Sequence, residues 1–516
     1  MMKKVLFSFV VASSFFACSV DHSKIQNYIP ADVNSVVIIN QQAIIGELKW
    51  DIALGNDKLK FQSLKNPILK QILENPASSG LEWMGKSYIF NSDSTGSVAI
   101  IPLTNPEDLL TLLESEKILA KDAGSYKALY SNGNSIFIDD NAMFLFFDSL
   151  AINKGESIIN KLKDDSQKSL VNSTTGKGKE IFTSEHHISM YQKGSSLSSI
   201  FDNILATISA SESKSEKNGS ESVSFFDFKN GVLEGTSDEY FANGSHDQKT
   251  FEKSGVIEQL ASGLNQKDPV LDLAISTNLS SLLLSGEKSL WKHQADSLLG
   301  LYMGASTEML EPIFGGDALI TFNGLNISMG MGHTETGTEH STESEMDYEM
   351  KPVFNVNYTL AITLKDTIMG RGLIERALVQ YAPTIKNSVF YIPTFNSYLF
   401  FKGNYVYATG DSNVVKTIMA TPAESKNNLY SNFNNGLTIN FQGLSKKLPL
   451  EFLPMFAPAI NTIEKKLVKV SYVAEPAKGN TMHSKFILEG KNKEENILIT
   501  ILDLMNELGG NSTPQS

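Results

Sequence analysis

The chain has 516 residues, 41% hydrophobic and 20% charged, with a formal net charge of −13 and a single cysteine. That length exceeds what one core organises and implies two or more domains, while the acidic balance excludes a nucleic-acid partner, which needs a basic face to displace counterions. One thiol permits no internal disulfide, so stability has to come from packing.

The N-terminus, MMKKVLFSFVVASSFFA, places Lys3 and Lys4 ahead of an apolar run from Val5 to Ala17, and Cys18 follows directly before the polar SVDHSK. A charged start, a short apolar stretch and a small residue ahead of a cysteine form the pattern of an export signal ending at a lipidation site. The run has 13 residues, short of the roughly 20 that a spanning helix needs. The expectation is a lipoprotein: residues 1–17 are the signal, Cys18 carries the lipid, and residues 18–27 tether the body to a membrane of the bacterial cell envelope, the outer membrane being the favoured location. Removing Lys3 and Lys4 with the signal moves the formal charge from −13 to −15.

Beyond the tether, Val36 to Ile39 predict a buried strand, followed by Asn40 and a helical stretch ending at Trp50. The same plan recurs from Leu271 to Ile275, with a polar Ser-Thr-Asn and an apolar-periodic stretch ending at Trp291. GKSYIF from Gly85 corresponds to GDALITF from Gly316, and Ser97 to Glu114 corresponds to Asn357 to Leu378. Asn134 to Ser149 and Asn387 to Asp411 predict β-hairpins from aromatic and β-branched runs broken by turn residues. The matched elements predict a tandem duplication over residues 28–262 and 268–508. The fold expected is α+β, two similar lobes, each an antiparallel-dominated sheet with helices packed on one face. Residues 509–516 form a disordered tail.

The second repeat carries an insertion at 326–352 with no counterpart in the first, where Ser92 to Thr95 joins the equivalent strands. Between Met331 and Met350 it holds six acids, two histidines and no basic residue, making His333, Glu335, Glu339 and His340 candidate metal ligands. The spacing matches neither the calcium-loop nor the zinc-protease register, and the Gly/Thr/Glu/Ser composition predicts a solvated loop. His186 and His187 precede a predicted strand at Ile188, and since adjacent strand residues face opposite sides, they are expected not to chelate one metal as a pair. Tyr398, Phe400, Tyr405 and Tyr407 crowd one hairpin, either as a stacking platform for a glycan or as cross-strand packing. Ser211 and Lys214 match a Ser-x-x-Lys spacing inside a low-complexity segment, with no KTG after it. GKGK from Gly176 has no glycine five residues ahead of its Gly-Lys and is not a phosphate-cradling loop, and no GxSxG elbow occurs.

With Cys18, the opening Ile29, Pro30, Asp32, Val36, Ile39 and Asn40, and the repeated strand-helix plan, the chain resembles an uncharacterised family of Bacteroidetes lipoproteins catalogued as domain of unknown function family 4836. The resemblance implies an envelope lipoprotein over nearly the whole mature chain, and it carries over no catalytic residue. The function expected is a non-enzymatic binding or scaffold protein that uses the cleft between its two lobes, without cofactor, its partners being the membrane and an envelope protein or a glycan. The alternatives are a carboxylate-based hydrolase such as a glycosidase, and a structural subunit of an envelope complex.

Overall fold

The structure is a computed structural model that describes residues 22–48, 76–131, 134–147, 154–173, 177–193, 220–242, 257–262, 264, 269–276, 297, 306–310, 312–333, 348–378, 385–386, 389–393, 396–422 and 435–510. Cys18, and Glu335, Glu339 and His340 of the insertion, lie outside them, as do the signal and residues 511–516 of the expected tail, whereas Gly509 and Gly510 end the helix Ile497–Gly510.

Twenty strands are found among the described residues. The first ten are β1 (Ser35–Asn40), β2 (Lys86–Ser92), β3 (Gly96–Pro102), β4 (Lys121–Ala123), β5 (Tyr126–Ser131), β6 (Asn134–Ile138), β7 (Ala142–Phe146), β8 (Ile188–Lys193), β9 (Glu221–Lys229) and β10 (Val232–Tyr240). The rest are β11 (Leu271–Ser276), β12 (Phe314–His333), β13 (Tyr348–Leu364), β14 (Ile385–Lys386), β15 (Val389–Ile392), β16 (Ser397–Lys402), β17 (Tyr405–Thr409), β18 (Asn435–Asn440), β19 (Leu467–Ala474) and β20 (Thr481–Gly490). Every ladder is antiparallel, and the strands follow one another as β4-β5-β6-β7-β3-β2-β1-β8-β9-β10, then β20-β19-β18-β11-β12-β13-β17-β16-β15-β14. Counted from its two ends the order is the same, each strand facing the one numbered ten higher. Both outermost strands are very short, three residues in β4 and two in β14, which leaves little unpaired edge for another chain to extend.

This arrangement overturns the expectation of two α+β lobes with helices on one face. The sheet is single and continuous, because β10 pairs with β20 in register from Val232 opposite Glu489 to Tyr240 opposite Thr481. No cleft separates two lobes along that seam. The cores also cross the proposed boundary: Ile497, Leu498 and Ile499 of the C-terminal helix Ile497–Gly510 share one cluster with Trp83, Leu109 and Ile101 of the first half. Helices cover both faces. In β3, Ala99 and Ile101 belong to the cluster that holds the helix Pro106–Ser115, while Val98 and Ile100 belong to the one that holds Ile159 and Leu162 of the helix Gly155–Asp164. A strand buried on both faces reads as a continuous apolar run, which is what VAII and AMFLF are. The second half repeats the pattern, with Phe400 in one cluster and its neighbour Phe401 in the other.

Candidate functional site

One difference between the halves makes a cavity. β12 and β13 have 20 and 17 residues where β2 and β3 have 7 each, so the second half extends a long two-stranded ribbon past its sheet neighbours. The flanks of the sequence-predicted loop at 326–352 are therefore strand: Asn326 to His333 pair with Tyr348 to Asn355. His333 closes that ladder opposite Tyr348.

Against the ribbon lies a cleft of about 750 Å³, inside the range of roughly 300–1,000 Å³ typical of ligand sites. Its wall is asparagine: Asn323 and Asn326 from β12, Asn355 and Asn357 from β13, and Asn396 from the β15–β16 turn. The ladder shifts register between Phe322 and Gly324. A side chain at Gly324 would put its Cβ 2.7 Å from the Lys447 carbonyl oxygen, so glycine lets ribbon and opposite wall close up. The amides hold one another in place. Asn323 donates from Nδ2 to Asn357 Oδ1 at 3.3 Å, and Asn396 donates from Nδ2 to Asn355 Oδ1 at 3.2 Å while accepting the Tyr391 hydroxyl at 2.9 Å. Asn396 adopts a left-handed φ of 45°, a conformation asparagine tolerates better than most residues.

The remaining walls bring charge. Asp411 caps the helix Ser412–Ala420, accepting the Asn413 amide at 2.8 Å. Across from it, the short helix Leu444–Lys447 presents Lys446 and Lys447, with Glu451 just beyond. Glu464 fixes that segment from behind, accepting the amides of Gly443 at 3.0 Å and Ser445 at 2.9 Å. Burial raises the Glu464 pKa, but the bonds from Ser445 and Gly443 and the nearby Lys491 charge outweigh it and hold the carboxyl below its usual range.

The four aromatic candidates separate. Phe400 and Tyr407 are fully buried and stacked at 5.2 Å, and the Tyr407 hydroxyl donates to the Leu260 carbonyl at 3.1 Å. They are core, not a platform. Tyr405 is half-buried and donates to Gln259 Oε1 at 3.0 Å. Burial raises the hydroxyl pKa of both tyrosines. Tyr398 alone faces the cleft, its ring 5.1 Å from that of Tyr391. The asparagines went unnoticed in the sequence because asparagine is depleted in strands and reads as a turn. Their signal was spacing, Asn323 with Asn326 and Asn355 with Asn357, interleaved with Leu325 and Val356.

Elsewhere, His186 and His187 precede β8 and both turn toward Asp227, the exposed His186 bonding it at 2.7 Å and the buried His187 lying 3.6 Å away, so they do not face opposite sides of a strand. Among the described residues no group of three or more His, Cys, Asp or Glu side chains is placed to hold a metal, and no helix is long and apolar enough to cross a membrane. A second depression, of about 650 Å³, surrounds Lys86, which donates to the carbonyls of Phe182 at 2.9 Å and Ser184 at 2.8 Å. Burial lowers the Lys86 pKa, partly countered by Glu185.

No protein-family model matches the sequence, and no curated protein matches it. Among solved structures the chain is similar to TP0453 in crystal form I, at 11% identity and a TM-score of 0.27, over 45% of this chain and 82% of that one. Crystal forms IV and III of TP0453 align at 9% identity and a TM-score of 0.28, over 42% and 43% of this chain and 79% and 80% of theirs. Similarity at that level carries no argument about what the chain does.

Proposed function

We propose that this chain is a lipid-anchored protein of the bacterial envelope that binds a glycan in the asparagine-lined cleft without transforming it. The observation that carries the reading is the wall of five carboxamides beside Tyr398. A sugar hydroxyl both donates and accepts, and a carboxamide offers both roles from one planar group, while an aromatic ring matches the apolar face of a pyranose. Among the described residues no histidine or cysteine lines the cleft.

Titration calorimetry of the purified protein against a panel of oligosaccharides and muropeptides tests this. A saccharide should bind, and Tyr398→Ala should weaken it by roughly tenfold, the worth of one ring contact. Absence of binding by every saccharide to folded protein overturns the reading. The anchor is tested separately: Cys18→Ala should abolish acyl labelling and release the chain from the membrane fraction, and an unchanged distribution would refute it. One observation favours a hydrolase instead, since Asp411 and Glu451 both line the cleft. Turnover of a bound saccharide, abolished by Asp411→Asn and by Glu451→Gln, would establish that second reading.

A further inference from the structure

Leu448 and Pro449 lie on the rim of the cleft, and the chain turns from them into the helix Ala457–Lys466. Along that turn large apolar side chains face outward, with Phe452 46%, Met455 79% and Phe456 53% exposed. None of the three packs in any of the hydrophobic clusters. Single exposed apolar residues are ordinary, but three of this size within five positions are not.

The charge around them runs against that of the chain. The exposed Lys446 precedes the turn and the exposed Lys465 follows it, with Glu451 between. Glu464 is occupied by the amides of Gly443 and Ser445, and Lys466 by Asp503 and Glu507. On a chain of net charge −13, a lysine-flanked projection tipped with Phe and Met complements a bilayer surface, where apolar side chains reach the acyl boundary and lysines remain among the headgroups.

We infer that the turn Phe452 to Phe456 is a bilayer contact that holds the adjoining cleft against the membrane, so that the sugar it takes is the headgroup of a glycolipid. The glycolipid half rests on the glycan reading of the cleft; the bilayer contact does not.

Vesicle flotation tests it, using the chain from Ser19 to Ser516 so that neither the apolar signal nor the acyl anchor plays a part. The vesicles are phosphatidylcholine alone, phosphatidylcholine with phosphatidylglycerol, and phosphatidylcholine with glucosyl diacylglycerol. The parent should float best with the glycolipid vesicles and measurably with the anionic ones. The triple variant Phe452→Ser, Met455→Ser, Phe456→Ser in the same background should lose roughly tenfold or more on both, with circular dichroism and oligosaccharide affinity unchanged. Tyr398→Ala should remove only the extra binding to glycolipid. Vesicle binding that the triple variant leaves intact defeats the bilayer contact, even where oligosaccharide binding persists. So does sedimentation showing that the turn is buried in a dimer of this chain. Binding that depends on the turn but is indifferent to both glycolipid and Tyr398 sinks the glycolipid half alone.

Discussion

His187 shows how much one side chain can be made to depend on protonation. Its Nδ1 accepts the Phe228 amide at 2.8 Å, which requires the ring to be neutral with its proton on Nε2. Burial lowers its pKa most, and His186 adds to that, while Asp227, Glu47 and a bond with the Ala43 backbone pull the other way without reversing it. A base held neutral by the fold takes its proton more readily once unfolded. Stability from this site is therefore complete above the ordinary histidine value of 6.5 and is lost as pH falls from there through the lowered folded value. Denaturant unfolding across that window should show a slope of up to about 1.4 kcal/mol per pH unit, and His187→Gln should flatten it. A slope that the variant leaves in place would assign the acid sensitivity to another group.

At the scale of elements, the helix Gly155–Asp164 is secured to the sheet by Lys163, whose Nζ donates to Asp139 Oδ2 at 2.6 Å and to the Tyr126 hydroxyl at 3.1 Å. Asp139 also accepts the amides of Asn141 and Ala142, so one carboxylate organises the β6–β7 turn and receives the helix. Lys163 is 31% exposed and Asp139 10%, which places the pair between the surface and buried limits. Lys163→Met should cost about 2 kcal/mol, and a double-mutant cycle with Asp139→Asn should show the losses to be less than additive; strict additivity would mean the two do not interact. That hairpin was legible from Asn134 to Ser149, where aromatic and β-branched residues stand on either side of Asp139 and Asp140. The covering of the sheet was misjudged, although AMFLF carries no polar residue on either side of the strand and so already pointed to burial on both faces. The ribbon was misread for a different reason. Ile327, Met329 and Met331 alternate with Ser328, Gly330 and Gly332, a strand period concealed by residues that are poor strand formers. With the ribbon read as loop, the asparagine wall had no surface to belong to, and only Tyr398 of the eventual site was named from the sequence.

For the whole molecule, the decisive element is the seam. β10 is held by β9 on one side and β20 on the other, and β20 in turn by β19, so the joint lies in the middle of the sheet, not at an edge. Polar side chains buried there are satisfied across strands: Ser224 Oγ donates to Ser237 Oγ at 2.7 Å, and Ser484 Oγ to the Ser237 carbonyl at 3.4 Å. Asn496 donates from Nδ2 to the Phe228 carbonyl at 2.9 Å, leading the C-terminal helix into the core of the first half. With ladder, buried serines and core all crossing the joint, neither half can open without exposing surface that belongs to the other. Hydrogen exchange followed through a guanidinium titration should therefore show β1, in the first half, and β18, in the second, losing protection at the same midpoint. Ser237→Pro removes the hydroxyl and the backbone donor in mid-sheet, at a cost of roughly 2–4 kcal/mol from a lost bond and a partner left unsatisfied. Its effect should reach both reporters and bring their midpoints down together. A midpoint shift confined to one of them, or a parent protein in which β1 and β18 open separately, would mean that the continuous ladder does not bind the halves into one cooperative unit.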